Sequence, residues 1–133
     1  MIGVVVATHG KLAEEMLRTA ETVVGRIEQA RAVAVDPGVQ DMRAALKDVI
    51  KSVDTGDGVL LLTDLLGGSP TNLCLSFLEE RKIEVVTGVN LPMLLKLGQL
   101  RAGGKPIVQF AAEVAEAGQR SIGHASGMLR GIG

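Results

Sequence analysis

Two side chains in this sequence are suited to bond-making chemistry, and both stand where a loop could present them. His9 lies in VVVATHGKL (residues 4–12) and Asp64 in TDLLGGSPTNLC (residues 63–74). A carboxylate that accepts a hydrogen bond from one imidazole nitrogen fixes the tautomer and leaves the lone pair of the other nitrogen free to attack an electrophile. The neighbours suggest which electrophile. Gly67, Gly68 and Ser69 precede a helical pattern whose first amides would lack partners, and Gly10 lets a second stretch of backbone come close. Such amides suit the oxygens of a phosphate. There is no serine-nucleophile motif, and no second histidine or carboxylate cluster nearby for a metal. Phosphoryl transfer onto His9 is therefore the chemistry that best fits these residues.

Each element also has a plainer explanation. A strand-terminal histidine can simply bond a backbone carbonyl, Asp64 can be a loop cap, and Gly67-Gly68 can be a turn. Ser69-Pro70 is a stronger signal for helix initiation, with Ser69 as N-cap and Pro70 at the first helical position, than for phosphate binding. His124, in a glycine-rich tail with no identifiable partner, reads as a solvated surface residue. Asp36-Pro37-Gly38 and Gly88-Val89-Asn90 read as turns at strand ends. Glu14, Glu15 and residues 79–82 read as solvated helix surface.

What decides between these readings is whether the elements bring the residues together. Residues 2–7 form a continuous β-branched apolar run, as in a strand covered on both faces. Residues 11–24 follow with helical spacing, ended by Gly25. The alternation repeats: strand 30–35, helix 39–53, strand 59–63, a helix from Ser69, strand 83–87, helix 91–100 and a final helix over 105–117. The βαβαβαβαα order predicts an α/β fold, an open and mainly parallel four-stranded sheet of order 2-1-3-4 with helices on both faces and right-handed crossovers. Strands one and three are then neighbours at the point where consecutive connections diverge, which is where such sheets bind ligands. His9 and Asp64, ending those two strands, should meet there.

The whole-chain properties narrow the setting. At 133 residues there is room for one domain: residues 1–120, with 121–133 as an edge strand or tail. Fourteen basic and fifteen acidic residues leave a net charge of −1, so nothing argues for nucleic acid or an anionic membrane as partner. The longest apolar run is far short of the roughly 20 residues a bilayer span requires, and no basic segment precedes a signal-like core, so the expected location is cytoplasmic. Cys74 alone makes neither a disulfide framework nor a thiolate metal cluster. With only two aromatic residues, Phe77 and Phe110, base-stacking platforms are not expected.

Three segments in order, VVVATHGKLAEEML, TDLLGGSPTNLC and TGVNLPMLLKL, resemble the IIA domain of the mannose (mannose-fructose-sorbose) family of the bacterial phosphoenolpyruvate-dependent sugar phosphotransferase system (PTS). The resemblance covers about residues 1 to 118. It implies that His9 is the phosphorylated histidine, Asp64 the aspartate bonded to it, and Ser69 the phosphate-side serine, with Gly67 and Gly68 as the preceding backbone. It further implies a phosphotransferase that needs no cofactor or metal. Phosphate would be taken from the carrier protein HPr, on Nε2, and passed to a IIB protein. A homodimer that exchanges a C-terminal antiparallel edge strand would account for residues 121–130. No alanine- and proline-rich linker follows, so the IIB partner is expected on a separate chain. Three rival readings remain open: a histidine phosphatase or mutase, although Thr8 stands where an arginine is needed; the phosphotransfer subunit of dihydroxyacetone kinase; and a regulatory phosphocarrier uncoupled from transport.

Overall fold

The computed structural model describes residues 1–80 and 82–132, so Arg81, within the stretch read as solvated helix surface, and Gly133, the last residue of the tail, lie outside the described residues. Four parallel strands, β1 (Gly3–Thr8), β2 (Ala30–Ala34), β3 (Val59–Thr63) and β4 (Ile83–Val86), pair in the order β2-β1-β3-β4. This is the predicted 2-1-3-4 sheet. Its two central strands are also the two without a polar side until their last residue, and both are buried along their whole length.

Because strand side chains alternate in direction, each central strand feeds two cores. Val4, Val6, Leu60 and Leu62 pack with α1 (Leu12–Val24), α4 (Leu91–Ala102) and α5 (Ile107–Arg120). Val5, Ala7, Val59 and Leu61 pack with α2 (Met42–Val53) and with Cys74 of α3 (Ser69–Leu75). Burial raises the Cys74 thiol to about 12, which leaves it an inert small hydrophobe. Among the described residues no helix is long and apolar enough to cross a membrane.

Helix ends differ from the sequence reading where local backbone decides. The second helix begins at Met42 rather than at residue 39, because Asp41 adopts φ 57° and interrupts the helical path. The third begins at Ser69, but Gly68 is its N-cap: it has extended backbone (φ −80°, ψ 163°) and its carbonyl accepts from Asn72 N at 3.0 Å. Ser69 is thus the first helical residue instead of the cap. That helix is short, ending at Leu75, and the chain continues to Glu80 in turns bonded three residues back.

The tail does not form the expected edge strand in this single chain. Ala125–Leu129 is a short helix, α6, and the sheet has four strands among the described residues. Its polar backbone is satisfied locally, with Met128 N donating to the His124 carbonyl at 2.9 Å and Ile132 N to the Gly127 carbonyl at 2.8 Å. Gly127 makes this possible, since a Cβ there would lie 2.5 Å from His124 Nδ1.

Candidate functional site

The parallel register sets Ala7 of β1 opposite Thr63 of β3, so the chain leaves the sheet at neighbouring points two residues later on β1 and one residue later on β3. Those residues are His9 and Asp64. β1 continues through α1 to β2 on one side, whereas β3 continues through α3 to β4 on the other; α1 and α3 pack on opposite faces. In open parallel sheets such a divergence beyond the carboxyl ends of the strands is where ligands bind.

Asp64 Oδ2 lies 2.7 Å from His9 Nδ1 and 3.0 Å from the His9 backbone nitrogen. Its other oxygen, Oδ1, accepts from Leu65 N at 3.0 Å. A carboxylate only accepts, so Nδ1 carries a ring proton, and in the neutral imidazole Nε2 presents the lone pair. Nε2 has no hydrogen-bond partner among the described residues. The ring is 48% exposed and the carboxylate only 12%. Burial disfavours the charged carboxyl, but the bonds from the His9 ring and backbone outweigh it and hold Asp64 below its ordinary value of 3.8. Asp64 is therefore an anion that orients the ring.

Of the predicted loop residues, Gly68 stands against this pair. A Cβ on Gly68 would stand 3.0 Å from His9 Cε1, so the ring rests against the bare backbone there. Gly10 and Gly67 have φ of +52° and +84°, a region that favours glycine. The backbone amides of Gly10, Gly67 and Ser69 bond nothing among the described residues, and neither does the exposed Ser69 hydroxyl. A ring nitrogen with a free lone pair beside unpaired donors is an arrangement that can take up an anionic electrophile. Among the described residues no group of three histidine, cysteine, aspartate or glutamate side chains is placed to hold a metal ion.

The plainer readings hold elsewhere. Asp36 Oδ1 accepts from Gly38 N at 2.9 Å, closing a turn. Asn90 caps α4 by accepting from Met93 N at 3.2 Å and donates to the Gly118 carbonyl at 3.1 Å. His124 stands exposed at the start of α6. Sequence reasoning missed the buried hydroxyls of Thr8, Thr63 and Thr71. Thr8 Oγ1 accepts from Ala13 N at 2.7 Å, doing for α1 what its N-cap Lys11 does not. The available signal was a threonine at the end of each central strand, directly before His9 and before Asp64.

Comparison with known proteins places these features in a wider set. Residues 3–109 match the EIIA-man family, described as "PTS system fructose IIA component". The chain is 32% identical over 124 residues to the PTS system mannose-specific EIIAB component of Escherichia coli, covering 91% of this chain and 38% of that protein. It is 30% identical over 106 residues to the PTS system fructose-specific EIIA component of Bacillus subtilis, covering 76% and 71%. The crystal structure of phosphotransferase system component EIIA from Streptococcus agalactiae superposes with a TM-score of 0.85 at 27% identity, over 95% of this chain and 98% of that one. The chain thus spans well under half the length of the E. coli relative but nearly all of the streptococcal one.

Proposed function

Given that the chain belongs to the EIIA-man family of phosphotransferase-system IIA components, we propose that it is a phosphohistidine carrier. In this reading His9 accepts phosphate from HPr on Nε2 and passes it to a IIB protein of a mannose-family sugar transport system. The observation that carries it is the 2.7 Å contact between Asp64 Oδ2 and His9 Nδ1, which leaves Nε2 as the available nucleophile.

The step is an in-line exchange of one P–N bond for another. The Nε2 lone pair forms the new bond as the bond to the donor's imidazole breaks, and the electron pair returns to the donor ring. Nδ1 keeps its proton and donates it in a hydrogen bond to Asp64 throughout, so the positive charge that builds on the attacking ring lies against a carboxylate. The three phosphoryl oxygens face the free amides of Gly10 and Gly67 and the amide and hydroxyl of Ser69. Positioning and charge stabilisation are then the protein's whole contribution, as is usual for phosphoryl transfer. The P–N bond of the product is as labile as the one consumed, which lets the phosphate move onward.

The same reading includes a homodimer in which residues 121–130 pair with a partner's sheet. It is supported by the exposure of Ile122, Met128, Leu129 and Ile132, at 64–91%, in a tail that buries little in the single chain. Sedimentation of the full chain beside one truncated at residue 120 tests that part.

The decisive experiment is incubation with phosphoenolpyruvate, enzyme I and HPr, followed by mapping of the acid-labile phosphate. Label on His9 Nε2, absent from His9→Ala, is the expected result. Label retained by His9→Ala overturns the proposal.

A further inference from the structure

Every buried residue among those described is apolar or glycine except three, Thr8, Thr63 and Thr71, each without solvent exposure. None is scattered. Thr8 precedes His9, Thr63 precedes Asp64, and Thr71 lies in the first turn of α3, three residues beyond Gly68. The hydroxyl groups of the core are thus confined to the layer beneath the site.

Two of them form a directed relay. Thr71 Oγ1 is 2.7 Å from the Leu65 carbonyl oxygen and 2.6 Å from Thr63 Oγ1. A carbonyl can only accept, so Thr71 uses its single proton on Leu65, and Thr63 must be the donor across the 2.6 Å contact. The order is Thr63 O–H to Thr71 O–H to Leu65 C=O. Leu65 is held on its other side as well, because its N–H donates to Asp64 Oδ1 at 3.0 Å. One residue therefore carries the carboxylate on its amide and the buried relay on its carbonyl.

This matters because side-chain burial does not anchor that loop. Leu65 is 52% exposed and Leu66 76%. What joins the loop to the sheet is hydrogen bonding, and the relay is its link to the end of β3. Displacing Leu65 would displace both the carboxylate that orients His9 and the Gly67-Gly68 turn against which the ring rests.

We propose that Thr71, supported by Thr63, is a positioning residue: through Leu65 it sets where Asp64 and Gly68 stand, and so fixes the tautomer and attitude of the His9 ring. Only the kinetic part of this inference rests on the phosphocarrier reading.

The test compares Thr71→Val, which keeps the shape and removes the hydroxyl, with Thr71→Ser, which keeps the hydroxyl. The first readout is the 15N NMR spectrum of the His9 ring in the unphosphorylated protein. The second is the rate and half-saturation of phosphorylation by phospho-HPr. For Thr71→Val we expect a mixture of ring tautomers and a transfer rate lower by about tenfold, with half-saturation by HPr unchanged. Thr71→Ser should restore the single tautomer and the rate. A wild-type ring spectrum and rate in Thr71→Val overturns the proposal, as does equal impairment in Thr71→Ser, which would assign the effect to the methyl group. If Thr71→Val does not fold, Thr63→Val, which removes the first donor of the relay, is judged by the same readouts. Should the wild-type protein take no phosphate at all, the phosphocarrier reading fails by itself, and the ring spectra of the variants still decide the positioning role.

Discussion

Asp64 holds His9 twice through a single oxygen: Oδ2 is 2.7 Å from the ring Nδ1 and 3.0 Å from the backbone nitrogen of the same residue. The carboxylate is therefore referenced to the main chain of β1's end as well as to the ring that it orients. A carboxamide cannot reproduce this, because one of its two atoms is a donor and would face the Leu65 N–H or the His9 pair. Asp64→Asn should fold yet lose phosphoryl uptake by about 10²–10⁴-fold, the scale on which a wrong imidazole tautomer acts. Rapid-quench transfer from phospho-HPr measures it, and wild-type kinetics would remove the orienting role.

Gly68 and Gly67 separate contact from conformation. Gly68 has an ordinary φ of −80°, so alanine is permitted by the backbone, but its Cβ would meet His9 Cε1 at 3.0 Å and Leu65 Cγ at 3.4 Å. Gly68→Ala should keep its melting temperature and slow transfer by about tenfold through displacement of the ring. Gly67 has open space around a Cβ but a φ of +84°. Gly67→Ala should lose about 1 kcal/mol of stability in urea unfolding, because an L side chain disfavours that conformation. Reversal of the two outcomes would show that the ring is not seated on Gly68.

Acid should weaken the fold through Asp64. Its carboxyl is held below 3.8, with burial opposing and the His9 bonds prevailing. Between the two values the unfolded chain binds the proton more readily than the folded one, so stability rises with pH. The contribution is complete above 3.8 and is lost as pH falls through the lowered folded value. Urea unfolding of wild type and Asp64→Asn from neutral pH downward should show the gap between them closing below 3.8. A constant gap would mean that the carboxylate gains nothing from folding.

Gly3 provides a substitution that affects folding alone. A Cβ there would lie 2.3 Å from the Val53 carbonyl oxygen and 2.8 Å from Val53 Cγ2, so the start of β1 and the end of α2 would have to separate. Gly3→Ala should cost about 1–3 kcal/mol. It lies at the opposite end of β1 from His9, and transfer per folded molecule should stay at the wild-type value. Unchanged unfolding would contradict the close packing of strand on helix.

The sheet and the His9–Asp64 pair were legible because period and punctuation carry them. The continuous apolar runs of β1 and β3 announce central strands, their alternation with helices implies the strand order, and that order places the residues after both strands side by side. Other features depend on neighbours that no local pattern reveals. Whether Gly68 or Ser69 caps α3 turns on one ψ angle, and Ser69-Pro70 fits either placement. The Thr63–Thr71 relay needs Leu65 to fold back over α3, and a threonine that ends a strand is otherwise unremarkable. The tail carries weak alternation and much glycine, which suit a strand as well as a turn of helix. In the single chain its local hydrogen bonds form a helix.

The parallel pairing of β1 with β3 has a consequence for biosynthesis. His9 leaves the ribosome before the acid that gives its imidazole one defined proton, which follows 55 residues behind and reaches it only when β3 docks. Until then the nascent chain has a histidine like any other, so in the phosphocarrier reading competence to take up phosphate would report that β1 and β3 have already paired.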